Sequence, residues 1–472
     1  MNSQKNSVYM DGLFYLAHLL NAGLGFLIYL DPILFKNYGW WFVAVGILTL
    51  VVSLVKFSYS VLFQARLFLL VTIGYFAGIV KAINPDLAFS PVAIDSQTAV
   101  IGAKMFALTS IALFGASAGF FFAWKKKNNT NLMIAAQSIK PAYWKTVYWV
   151  SSLGVLITGY LSAISYGPTV FEGVYGTGEG QGQLLGNLQS IGVVCLVLSF
   201  VSAIRVKKIN YFIGVLFIAF YFLGWGILLR GGRLEVLSGL LALFVVVPAT
   251  QGKVVKLSAK HFFIILLLAI FMEVWGSLRS TLFTGATETI IEGYVRLAES
   301  GVYFAGTISA IASTFANLLH MVDTHVVGFS FGETYFDYLL RSPPEFIYPN
   351  RPPDLSMIFE KYGYEAIGGF FELAEAYLNF GILGCLIIPF LISFVLAKVY
   401  QRVLSGSWLY VFLFSAILSV FFRGAWYQTF AFYKSLLTGL ILFLVYHIIL
   451  QLVQNIKYVN KLQDVSDRRL LK

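Results

Sequence analysis

Stretches of about 20 apolar residues, separated by short polar loops, recur from one end of this chain to the other. A backbone that crosses hydrocarbon must satisfy its own N–H and C=O groups, so segments of this kind fold as helices. The composition agrees: of 472 residues, 58% are hydrophobic and 12% charged, with a mean hydropathy of +0.79. A soluble domain of this length needs a far more polar surface. The expected fold is therefore an all-α polytopic membrane protein with about twelve transmembrane helices.

The expected spans are Gly12–Leu30, Gly39–Val55, Leu67–Ile83, Ala99–Phe122, Val147–Ile164, Leu184–Ile204, Tyr211–Leu229, Leu234–Ala249, Phe262–Leu278, Phe370–Ala397, Trp408–Phe422 and Ala425–Val453. The first run lacks a small-residue cleavage site and is expected to remain as the first span. The net charge of +11 suggests nucleic acid until it is mapped. Most basic residues then fall in alternate short loops: Lys125-Lys126-Lys127, Lys140 and Lys145, Arg205 to Lys208, Lys253 to Lys260, Lys398 and Arg402, and the tail. Basic loops stay in the cytoplasm, so both termini are expected there and no nucleic-acid partner is implied. Lys36, Lys81 and Lys104 oppose this orientation singly. Cys195 and Cys385 lie within spans, so neither a disulfide nor a thiolate metal site is indicated.

The chain divides into residues 1–279 with nine spans, a long outer segment at 280–369, and residues 370–472 with three spans and a tail. A shorter outer loop, Ser165 to Gly182, is glycine-rich. In the long segment, Thr287 to His320 has helical periodicity and little charge, as for a helix lying on or dipping into the membrane. Pro343-Pro344, Pro349 and Pro352-Pro353 then predict a rigid extended strap. Phe370 to Ala397 is too long for one crossing, and Asn379-Phe380-Gly381 is where it is expected to break.

Arginines on the outer side carry the chemistry. Arg230 and Arg233 flank two glycines, Arg279 ends a span, Arg351 lies in the strap and Arg423 follows a short span. Each alone fits a snorkelling side chain, but short outer turns ordinarily avoid basic residues, so together they fit an anion site. Their planar guanidinium groups match phosphate oxygens. Glu372 and Glu375 share one helical face. Glu372 fits a solvated helix surface. Two roles are open to Glu375: a base taking a hydroxyl proton, or a structural partner for an arginine. His320 and His325 flank Asp323 and are either rival bases or ordinary loop histidines. Glu273 and Lys434, inside spans, fit a buried packing pair better than a cavity wall or a proton path. The chain has no Asp-x-Asp, Walker loop or dinucleotide fingerprint, so we expect no metal, nucleotide or other cofactor.

Gly332-x-x-Tyr335, the proline-bounded stretch to Arg351-Pro352, and Ala374-Glu375-Ala376-Tyr377-Leu378-Asn379-Phe380-Gly381 together resemble the O-antigen polymerase (Wzy) family. The Gly232-Arg233 turn fits as well. The resemblance runs from about Tyr211 to the C-terminus. It implies an inverting, metal-independent C-type glycosyltransferase of the bacterial inner membrane, with its active site and large loop facing the periplasm. The implied partners are undecaprenyl-pyrophosphate-linked glycans and membrane lipids, with room for a chain-length-regulating co-polymerase. It assigns pyrophosphate binding to Arg233 and Arg279, and by extension to Arg351 and Arg423. The ligase that moves such glycans to lipid A-core, and a lipid-linked glycan flippase, are the alternatives.

Overall fold

The computed structural model describes residues 2–57, 60–83, 98–124, 141–164, 181–228, 232–256, 307–342, 348–350, 370–426 and 429–470, together with 267, 352 and 361. Among these residues there are helices and turns and no strand. The helices are α1 (Asn2–Leu30), α2 (Ile33–Lys56), α3 (Val61–Ile83), α4 (Thr98–Ala123), α5 (Pro141–Ile164), α6 (Gln181–Val206) and α7 (Ile209–Ala219). They continue with α8 (Arg233–Ala249), α9 (Thr307–Asp323), α10 (Glu333–Arg341), α11 (Glu372–Leu404), α12 (Trp408–Ser419), α13 (Phe421–Trp426) and α14 (Phe430–Leu470). Six of them contain stretches long and apolar enough to cross a bilayer: α1, α2, α4, α6, α11 and α14. Shorter apolar helices occur in α3, α12 and the α7 region. The chain is a multi-pass, all-α membrane protein. The expected ninth span, Phe262–Leu278, and Glu273 lie outside the described residues, as do the loop at 165–180 and most of the proline strap.

The helices pack as two groups. In one, α4 is surrounded by α1, α3, α9 and α11; in the other, α6 meets α5, α7, α8, α12 and α14. The α4–α11 contact is the most extensive among the described residues, and glycine lets it be tight. Cβ atoms added at Gly115 and Gly119 would collide with the carbonyl oxygens of Leu386 and Phe390. Small residues four apart let two helix backbones meet where water-driven burial gives little help. Between α7 and α8 the chain winds as a π-helix, Phe220–Ile227, just before the glycine-arginine turn.

α11 is not one continuous rod. Gly381 takes φ 60°, ψ −144°, a conformation that glycine adopts freely, and the chain reverses there. The Cys385 thiol donates to the Leu373 carbonyl at 3.5 Å across a sequence separation of 12. In a straight helix those residues stand about 18 Å apart. The first part, residues 372–380, is thus a half-helix folded back along the second part, and Gly384 admits it by lacking a side chain against the Ala376 carbonyl. Residues 372–379 are all buried. The second part, from Ile382 to Leu404, exposes Leu383, Ile387, Leu391 and Val395 at one-turn spacing, the outer stripe of a membrane span.

α9 overlaps the end of the stretch read as a membrane-associated helix, but it packs into the bundle against α3, α4 and α11. Its apolar face of Ile311, Phe315, Leu318, Leu319 and Val322 is buried. α10 was not anticipated; it precedes the prolines that stop it.

Candidate functional site

The folded-back half-helix carries the densest polar cluster described. Glu372 begins it and is fully buried, and Arg66 of α3, 1% exposed, donates to both of its carboxylate oxygens. Arg66 Nε also donates to Ser393 Oγ at 3.4 Å. Ser393 is mid-way along the second part of α11, so this ion pair sits well inside a span. An unpaired charge there is costly, and the bidentate geometry compensates it. Glu372 is therefore not the solvated residue its spacing suggested.

Glu375 lies one turn nearer to the reversal and is also fully buried. Among the described residues it is held by hydroxyls. Thr334 Oγ1 of α10 donates to Oε1 at 2.9 Å, Thr429 Oγ1, just before α14, donates to Oε2, and the Tyr338 side chain of α10 lies beside them. Asn379 extends the network: its Nδ2 donates to Thr334 Oγ1 at 2.7 Å and to the Glu375 carbonyl at 2.9 Å. A helix that stops inside a bundle leaves its last carbonyls without partners. Here the turn before α10 supplies them, with Ser330 N donating to Leu378 O at 3.0 Å and Phe331 N to Asn379 O at 3.1 Å. Gly332 N donates to Asn379 Oδ1 at 2.9 Å. Gly332-x-x-Tyr335 and Glu375-x-x-x-Asn379 are thus two sides of one contact. Burial, then the neighbouring Glu375 and Glu372 charges, push the Tyr335 phenol of α10 well above its ordinary pKa. It stays protonated.

A second cluster occupies another face of the half-helix. Tyr377 donates to Asp323 Oδ1 at 3.2 Å and shares a 2.8 Å hydrogen bond with Tyr29 of α1. Lys104 of α4 donates to Asp323 Oδ2 at 2.6 Å. Lys104, which opposed the charge rule, is accounted for by this partner inside the fold. Asp323 is thereby committed to α4 and α11 and not to its flanking histidines. His320 sits on α9, half-buried, with Nδ1 enclosed and without a hydrogen-bond partner among the described residues. His325 is exposed at φ 58°. Neither is among the groups that hold Glu375.

Of the predicted arginines, Arg230, Arg279 and Arg351 lie outside the described residues. Arg233 opens α8 and Arg423 lies in α13, and these helices touch. Arg423 Nη1 donates to Glu235 Oε1 at 3.2 Å, and Glu235 is in the first turn of α8 beside Arg233. Phe422 N donates to Ser238 Oγ at 3.3 Å, tying the same two helices. Arg423 is thus paired with a carboxylate on the turn of α8 that Arg233 opens. Lys434 lies over the Phe430 ring at 4.7 Å.

Sequence reasoning missed Arg66, Thr334 and Thr429. A cation within an apolar run was a signal for Arg66; hydroxyls scattered through the chain gave none. No protein-family model, characterised protein or solved structure matches this chain.

Proposed function

We propose that the protein lengthens undecaprenyl-pyrophosphate-linked oligosaccharides at the periplasmic face of the bacterial inner membrane, as a repeat-unit polymerase. In this reading about twelve helices span the membrane, both termini are cytoplasmic, and residues 280–369 are periplasmic. A hydroxyl of one lipid-linked repeat unit attacks the anomeric carbon of the growing glycan. The new C–O bond forms, the bond from that carbon to the pyrophosphate oxygen breaks, and undecaprenyl pyrophosphate leaves with the bonding pair. Arg233 and Arg423, with Arg230, Arg279 and Arg351, neutralise the departing charge. Glu375 takes the hydroxyl proton.

The observation that carries this reading is the division of labour between two buried carboxylates one turn apart. Arg66 engages Glu372 on both oxygens, whereas Glu375 is held by hydroxyls. A carboxylate accepting two or three hydrogen bonds keeps lone pairs for another donor. Glu375 is enclosed here, so the acceptor reaches it when α10 withdraws Thr334 and Tyr338. The reversal at Gly381 favours one other reading, because broken helices also build transporter sites.

Purified protein in lipid vesicles, given only lipid-linked repeat units and a chelator, tests the choice. A polymerase yields a ladder of longer lipid-linked glycans without nucleotide. Movement of the lipid across the bilayer without lengthening supports the transporter. Products formed only after lipid A-core is added support the ligase.

A further inference from the structure

The function proposed above uses one face of α10. Thr334, Tyr338 and Arg341 face the protein and are buried. On the opposite side Phe336, Leu339 and Leu340 are 60%, 54% and 38% exposed. Glu333 and Asp337 form a polar edge between these faces. The other edge carries Tyr335, whose ring stacks on Phe380 at 6.4 Å. Phe380 is itself 41% exposed and lies at the head of the Leu383, Ile387, Leu391, Val395 stripe. The turn before α10 adds Phe329 and Phe331, the latter 81% exposed at φ 45°. That conformation is costly for a bulky side chain, yet it projects the ring outward.

We propose that this face of α10 and its preceding turn dock into the headgroup–acyl boundary of the lipid bilayer. Continuity argues for lipid over a protein partner. The apolar face joins, through Tyr335 and Phe380, a stripe that faces hydrocarbon, while Glu333 and Asp337 sit on the edge opposite Tyr335, beside the apolar face, as expected at the level where headgroups meet water. Depth agrees. α10 touches two places where spans end, the Gly381 reversal and the start of α14, through the Tyr338–Phe430 stack at 5.1 Å. From Ile382 to Leu404, α11 is long enough to cross about 30 Å of hydrocarbon. A short helix with one apolar face at that level lies in the interface plane. α10 therefore couples the bilayer surface to the Thr334 hydroxyl on Glu375, whatever reaction Glu375 serves.

Nitroxide labels at Phe336→Cys and Leu340→Cys, in full-length protein in phosphatidylethanolamine–phosphatidylglycerol vesicles, test this. Glu333→Cys serves as the internal reference. Collision with dissolved oxygen reports lipid, and collision with a water-soluble nickel chelate reports solvent. The proposal expects oxygen to dominate at 336 and 340 and the chelate to dominate at 333. Chelate dominance at 336 and 340 would place the face in water. Exclusion of both reagents would place it under protein, a second copy or another part of the chain. Either result overturns the proposal, and neither bears on whether the glycan ladder forms.

Discussion

Arg66 and Glu372 set the terms at the scale of single residues. Each charge is tolerated inside the bundle because of the other, so removing one partner costs about 3–5 kcal/mol while replacing both by apolar side chains is close to neutral. Arg66→Met and Glu372→Leu are each expected to lower the thermal unfolding midpoint in detergent markedly, and the double variant to recover most of the loss. A double variant as unstable as the sum of the singles would show that the pair is not coupled. This ion pair was hidden in the sequence by one residue. Starting the third span at Leu67 left Arg66 outside the slab, whereas α3 begins at Val61 and carries Arg66 inward. The burial of Glu375, by contrast, was legible, because Ala374, Ala376 and Tyr377 surround it with apolar chain. Its hydroxyl partners were not, since Thr334 and Thr429 lie 41 and 54 residues away and threonine carries no signature of its own.

Helices were easier to read than their contacts. The break at Asn379-Phe380-Gly381 was expected from the glycine and from a span too long for one crossing. That the broken piece folds back into the bundle was not, because a local sequence carries no sign of which neighbour receives it. The receiving surface depends on Gly384, and the α4–α11 seam on Gly115 and Gly119. Gly115→Leu is expected to separate α4 from α11 and sharply reduce the folded, monodisperse fraction after detergent extraction. Gly12→Leu, where an added Cβ meets nothing nearby, serves as the comparison and is expected to leave it unchanged. Equal yields from both variants would mean that the seam contributes little. The α10 helix escaped notice for a related reason: Pro343-Pro344 drew the whole region toward an extended reading, although they end a helix already formed.

For the whole molecule, helical class and membrane character followed from composition alone, since apolar segments in lipid have few other solutions. The sidedness proposed from the basic loops is open to direct measurement. Cysteines placed at Ser342 and Ser405 should differ, with an impermeant thiol reagent in whole cells labelling Ser342→Cys and sparing Ser405→Cys. The reverse pattern would put the α10 side in the cytoplasm and remove the periplasmic reaction. What ties topology, half-helix and chemistry together is the role given to Glu375. The decisive measurement is therefore glycan lengthening by Glu375→Gln, with binding of the lipid-linked repeat unit followed in the same preparation. The amide keeps the shape of the carboxylate but cannot take a proton, so lengthening should fall at least about a hundredfold while binding persists. A full ladder from that variant would contradict the account, and the proton would have to go elsewhere.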